Sequence, residues 1–104
     1  MFIHMSIHEP NPGYEQAVLD SMNRVRLAAL GTPGLVHIGP FREEDGGRIV
    51  GMAIWESRAH WAAALPNLFA VAEADDPEGR WHVRPPERIL LEDAGVFPPD
   101  DMLD

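Results

Sequence analysis

From Phe2 to His8 the chain alternates, with Ile3, Met5 and Ile7 on one side and Phe2, His4, Ser6 and His8 on the other. A period of two predicts a strand. The breaker cluster Pro10, Asn11, Pro12 and Gly13 ends it. Tyr14, Val18, Met22, Val25 and Ala29 then recur three or four apart, which is one face of a helix. Gly31, Thr32, Pro33 and Gly34 stop that helix. A second strand is expected over Leu35–Arg42, running into Asp45-Gly46-Gly47, which supplies the positive φ angles of a tight hairpin. The third strand, Arg48–Trp55, is therefore expected to be its antiparallel neighbour. Ser57 reads as the N-cap of a second helix in which Trp61, Leu65, Leu68 and Ala72 keep helical spacing. Pro66 falls inside it, and an interior proline costs ~3 kcal/mol. Two short helices, or a kink at Leu65–Pro66, are expected. A loop over Asp75–Gly79, a short extended piece over Trp81–Arg84 and a last strand over Glu87–Glu92 complete the pattern.

The order is β-α-β-β-α-β, the ferredoxin-like α+β arrangement, with both helices on one face of an antiparallel sheet. The other face must then be covered or stay apolar. Strand one offers Ile3, Met5 and Ile7 opposite its histidine side, and strand three is apolar on both sides. A second copy is expected to cover the free face, giving a homodimeric α/β barrel. The domain is expected over residues 1–93, with an acidic C-terminal tail over 94–104.

A chain of 104 residues is one domain by length. Its net charge of −9 comes from 8 basic residues, all arginine, and 17 acidic ones. The acids gather in turns and in the tail, where they aid solubility. Nucleic-acid binding needs a basic stripe to neutralise phosphates, and none is present. The absence of cysteine excludes disulfides, thiolate catalysis and zinc–thiolate sites. No apolar run approaches the ~20 residues of a membrane span. The alternating N-terminus does not read as a signal peptide. A cytoplasmic protein without a membrane partner is expected.

The stretch Thr32-Pro33-Gly34-Leu35, then Asp45-Gly46, then Trp55-Glu56-Ser57 with Trp61 resembles the antibiotic biosynthesis monooxygenase family. The resemblance implies a dimeric α/β barrel. It also implies a cofactor-independent monooxygenase acting on a small phenolic, quinol or polyketide-type aromatic substrate with dioxygen. In such a reaction the deprotonated, electron-rich substrate donates directly to oxygen, and the protein binds the flat molecule, favours its anion and excludes water. Trp55 matches the tryptophan that borders the family's pocket, and Trp61 matches a pocket aromatic in the following helix. Gly51 and Ala53 share Trp55's side of the strand, so their small side chains leave either ligand space or room for close helix packing, with both tryptophans in the core. Two departures stand out. Gly51 occupies a position where similar oxygenases carry a polar amide, and no arginine lies between Arg58 and Arg80, where they carry one. The family's haem-degrading members use a histidine near the end of helix two. Glu73 stands there, so no haem, and no other cofactor, is expected. A non-catalytic ligand-binding or stress-associated barrel and a polyketide-type cyclase or isomerase are the alternative functions.

The five histidines are His4, His8, His37, His60 and His82. Any could serve as a general base near neutral pH. His4 is the first choice, since a central strand would hold it inside the monomer. Ser6 and His8 share its face and are expected to contact substrate, with His60 at the pocket rim. His4 and His8 would lie roughly 13 Å apart along a strand, too far to share one metal ion, so no metal site is expected.

Overall fold

Six elements follow one another in the order the periodicity predicts: β1 (Phe2–His8), α1 (Glu15–Ala29), β2 (Leu35–Arg42), β3 (Ile49–Trp55), α2 (Arg58–Asp75) and β4 (Glu87–Glu92). This computed structural model describes residues 1–95. Most of the expected acidic tail, residues 96–104, therefore lies outside the described residues. The strands form one antiparallel sheet in the order β2-β3-β1-β4. The split βαβ unit is plain in that order, because β3 inserts between β1 and β2.

Register decides which residues look toward the helices. Phe2 lies opposite Trp55, His4 opposite Ala53, Ser6 opposite Gly51 and His8 opposite Ile49. Since strand side chains alternate, these eight share the helix-facing side, and Ile3, Met5 and Ile7 share the other with Ile54, Met52 and Val50. Arg88 of β4 pairs with Ser6, which brings it to the helix side too.

The core is concentrated toward one end of the sheet. Phe2, Ala53, Trp55, Trp61 and Ala64 form a buried cluster, with Leu35, Ile38, Leu65 and Leu68 packed against it. Val18 and Ile49 are also buried completely. Gly51 and Ser6 lie between Trp55 and Ile49 along the paired strands, and these small side chains leave space.

Helix α2 bears on the expectation at Pro66: it does not divide into two short helices. It runs without a break from Arg58 to Asp75, with Pro66 inside it. Ala62, whose carbonyl loses its partner at the proline, is exposed, as is Pro66. Water can take the place of the missing donor there, so the proline need not divide the helix. Ser57 caps the helix as expected, its hydroxyl accepting from the His60 backbone N–H at 3.2 Å.

The connection after α2 is tied to the turn after β1. Asn11 N donates to the Trp81 carbonyl at 2.8 Å, and Val83 N donates to the Glu9 carbonyl at 2.8 Å. The Asn11 side-chain amide reaches the carbonyls of Arg80 and His82 at 2.9 and 3.0 Å. These bonds hold Trp81 and His82 against the end of β1.

Candidate active site between the sheet and the helices

A cavity of about 560 Å³ lies between the helix-facing side of the sheet and the two helices. That volume falls in the ordinary range for small-molecule sites, about 300–1,000 Å³. Ser6, Gly51 and Ala53 contribute to its floor, Met22 and Val25 of α1 and Leu65 and Leu68 of α2 to its walls, and residues of the α2–β4 connection close one end. Gly51 is needed for this shape. A Cβ there would stand 2.5 Å from Ser6 Oγ and 2.8 Å from Met22 Cε.

The polar groups of the cavity are few, and four of them form a line. Ser6 Oγ lies 2.8 Å from His8 Nε2. His8 Nδ1 lies 2.8 Å from His82 Nε2. His82 Nδ1 faces Asp76 Oδ2 at 3.8 Å, with both side chains largely buried. Asp76 is itself fixed as the C-cap of α2, its carboxylate accepting from Arg80 N at 2.9 Å and Trp81 N at 3.2 Å. A carboxylate facing His82 Nδ1 favours the proton on that nitrogen. His82 Nε2 then accepts from His8 Nδ1–H, and His8 Nε2 accepts from the Ser6 hydroxyl. Each donor in the line meets an acceptor.

Burial lowers the pKa of His8 to about 4, helped by the neighbouring His82 and by the Arg88 guanidinium. Burial also lowers His82, against the opposing pull of Asp76. Both imidazoles are therefore neutral at pH 7.

His4 stands apart from this line. Trp61 Nε1 donates to His4 Nδ1 at 3.2 Å, with the two rings edge to face at 5.8 Å. The accepting nitrogen cannot also carry the proton of a neutral ring, so His4 holds it on Nε2. That nitrogen is buried and has no protein partner. Burial, and secondarily Arg88, lower the His4 pKa as well. His4 lines the cavity as a residue, but its Nε2 is itself enclosed by the protein.

His4, Ser6, His8 and Gly51 are brought together as cavity residues. Trp55 is not among them. It lies wholly buried in the core cluster, with its indole nitrogen unpaired. Trp61 reaches the site only through His4, and its ring stacks at 5.0 Å on Phe2 and carries the Arg58 guanidinium at 5.5 Å. His60 sits outside the cavity, its Nδ1 2.7 Å from Ser57 Oγ. A Cβ on Gly34 (φ +81°) would overlap the His60 ring, so this histidine packs the start of α2 on the turn before β2. Glu73 belongs to α2, and its side chain lies outside the described residues. Among the described residues no group of three or more histidines and carboxylates could hold a metal ion, and no helix is long and apolar enough to cross a membrane.

Asp76, Trp81, His82 and Arg88 also line the site, and periodicity does not point to them. The available signal was Trp81-His82-Val83-Arg84 itself, an aromatic, an imidazole and a guanidinium gathered in one connection between elements, where binding groups concentrate.

No protein-family model and no curated protein sequence matches the chain. Solved structures do. A Nitrosomonas europaea protein assigned to the antibiotic biosynthesis monooxygenases superposes with a TM-score of 0.77 at 12% identity, over 90% of this chain and 99% of its own. SnoaB, a cofactor-independent oxygenase from Streptomyces nogalater, gives 0.71 at 18% identity, over 93% and 96%. The monooxygenase ActVA-Orf6 from Streptomyces coelicolor, solved with nanaomycin D, gives 0.70 at 20% identity, over 95% and 92%. At these identities the likeness establishes the fold, an α+β ferredoxin-like sheet with both helices on one face.

Proposed function

We propose that the protein is a cofactor-independent monooxygenase acting on a small phenolic, quinol or polyketide-type aromatic molecule. The cavity carries this reading: it is mainly apolar, sized for two or three fused rings, and its polar lining consists of imidazoles, the Ser6 and Ser21 hydroxyls and a few charged groups, Arg88 among them. Its apolar walls suit a flat aromatic molecule, and exclusion of water favours direct reaction of an electron-rich anion with dioxygen. The named functions of SnoaB and ActVA-Orf6 on the same fold support this choice, although fold alone does not determine chemistry.

The test is oxygen uptake with a dihydroxynaphthalene in the presence of a chelator. The expected result is protein-dependent oxygen consumption that saturates with substrate. Conversion that proceeds equally without oxygen would replace this reading with the cyclase or isomerase. Saturable binding without conversion would replace it with the ligand-binding barrel.

The working unit in this proposal is a homodimer. Ile3, Met5, Ile7, Val50, Met52 and Ile54 leave an apolar sheet face partly exposed, and Phe41 and Leu91 beside it are 48% and 41% exposed. A second copy seated on this face would bury it. Met5 stands at its centre, opposite Met52 and Ile89. Met5→Asp would place two unpaired carboxylates in a symmetric interface, each costing on the order of several kcal/mol. Light scattering is expected to show dimers for the native chain and monomers or aggregates for the variant. A stable native monomer at micromolar concentration would refute the barrel.

A further inference from the structure

We propose that Ser6, His8, His82 and Asp76 form a proton relay that withdraws the proton of an acidic hydroxyl on a ligand in the cavity. The proposal rests on the reading of the cavity as an aromatic ligand site and adds both the base and the class of hydroxyl it serves.

The order of the groups sets the direction. Ser6 is the member on the cavity floor, beside the space left by Gly51. As the ligand O–H bond breaks, its proton forms a new O–H bond on Ser6 Oγ, and the original Ser6 proton passes to His8 Nε2. The proton on His8 Nδ1 then crosses 2.8 Å to His82 Nε2. His8 ends neutral, with its proton on the other nitrogen. The positive charge ends on His82, 3.8 Å from the Asp76 carboxylate. One proton leaves the ligand and one arrives at the His82–Asp76 pair, with no change of oxidation state.

Each part of the line has an independent reason to be where it is. The backbone N–H groups of Arg80 and Trp81 fix the Asp76 carboxylate, and the Asn11 clamp fixes the backbone of His82. The direct His8–His82 contact joins a strand to a connection 74 residues away, so it is a product of the fold and not of local sequence. His4, the more obvious base, has its accepting nitrogen taken by Trp61.

The charged groups around the line define the ligand. His8 faces Ser6 on its own strand, His82 from the α2–β4 connection and the field of Arg88 from β4. His82 faces Asp76 at the end of α2. Arg84, next along, is engaged by Glu9 at 3.3 Å. Burial makes both imidazoles weaker bases than usual, with His82 and Arg88 adding to this at His8 and Asp76 opposing it at His82, and transfer is efficient when acid and base are matched. The matching hydroxyl is one more acidic than a simple phenol, conjugated to a carbonyl or another electron-withdrawing group, as in a hydroxyquinone or the enol of a dicarbonyl. Arg88 also favours the oxyanion that results.

The probe is 4-nitrophenol, whose phenol and phenolate forms absorb at different wavelengths. Binding to the full chain is followed by tryptophan quenching, and ionisation of the bound probe by absorbance, across about pH 5–8, where an unperturbed histidine changes charge. In the native protein the phenolate-to-phenol ratio of bound probe is expected to exceed that of free probe by about tenfold, one unit of its pKa. Asp76→Asn and His82→Gln are each expected to return that ratio to the free value while the neutral probe still binds. A ratio that stays raised in both variants would assign the effect to Arg88 alone and overturn the relay. Absence of saturable quenching by the native protein would overturn the aromatic site, and the relay with it. Histidine ¹⁵N spectra of the native protein give a reading that needs no variant. The relay requires the Nδ1–H tautomer at both His8 and His82, and the Nε2–H tautomer at either would refute it.

Discussion

Replacing Trp55 with alanine is expected to destabilise the fold by about 3–5 kcal/mol, the usual cost of deleting a large aromatic from a core. Trp55 has no exposed surface, and Phe2, Trp61, Ala53 and Ala64 surround it. Alanine, leucine and isoleucine neighbours cannot fill a void the size of an indole without moving the strands that carry them. Against a typical total stability of 5–15 kcal/mol, roughly a third of the margin would go. The urea midpoint should fall in proportion, with the slope unchanged. Trp55→Phe separates two contributions. It removes the buried indole N–H that has no partner. An orphan of that kind carries a penalty of about 1–3 kcal/mol, so the smaller ring should recover much of what alanine loses. Because Trp55 lies outside the cavity lining, Trp55→Phe is expected to leave ligand affinity unchanged. A large loss of affinity in a stable Trp55→Phe protein would place the indole at the ligand after all.

The elements were legible because their signals are local. Alternation over Phe2–His8, the helical spacing from Tyr14 to Ala29 and the Asp-Gly-Gly turn each depend on a few neighbouring residues. The same alternation put His4, Ser6 and His8 on one side, and β3 pairing then gave them Gly51 as a neighbour. Pro66 does not split the helix in two, because the cost of an interior proline depends on whether the freed carbonyl is exposed, and that follows from packing. Trp55 stood between pocket and core in the sequence, since small neighbours such as Gly51 and Ala53 suit either. The strand's position decides it: Trp55 lies under the tight packing of Trp61 and Ala64, while Gly51, four residues earlier, lies under the open part. His82 and Asp76 could not be assigned to the site by spacing. The His8–His82 contact spans 74 residues, and Asp76 joins it only through His82; both placements are set by the Asn11 clamp and by where α2 ends.

Filling the floor at Gly51 should remove ligand binding and leave the domain folded. A leucine there meets Met22 Cε and Ser6 Oγ at once, since the first carbon of any side chain would already stand 2.8 and 2.5 Å from them. The methionine end can turn aside, and the rest of the leucine enters the cavity. Overpacking of this kind costs ~1–3 kcal/mol, and the open space beside Met22 puts the expected value at the low end. For a domain this size each kcal/mol lowers the melting temperature by about 4–8 °C, so the loss is measurable without being fatal. Binding is read by quenching of Trp81, the one of the chain's three tryptophans that lines the cavity. Trp81→Phe in an otherwise native chain should therefore abolish the signal while calorimetry still detects the ligand. Gly51→Ala completes the series. Its single methyl cannot fill 560 Å³, but at 2.5 Å from Ser6 Oγ it must push the hydroxyl away from His8. That variant should still bind 4-nitrophenol and should lose the excess of bound phenolate, whereas Gly51→Leu should lose both. If leucine at position 51 leaves binding intact, the ligand does not occupy the space above Gly51, and the site between the sheet and the helices is refuted.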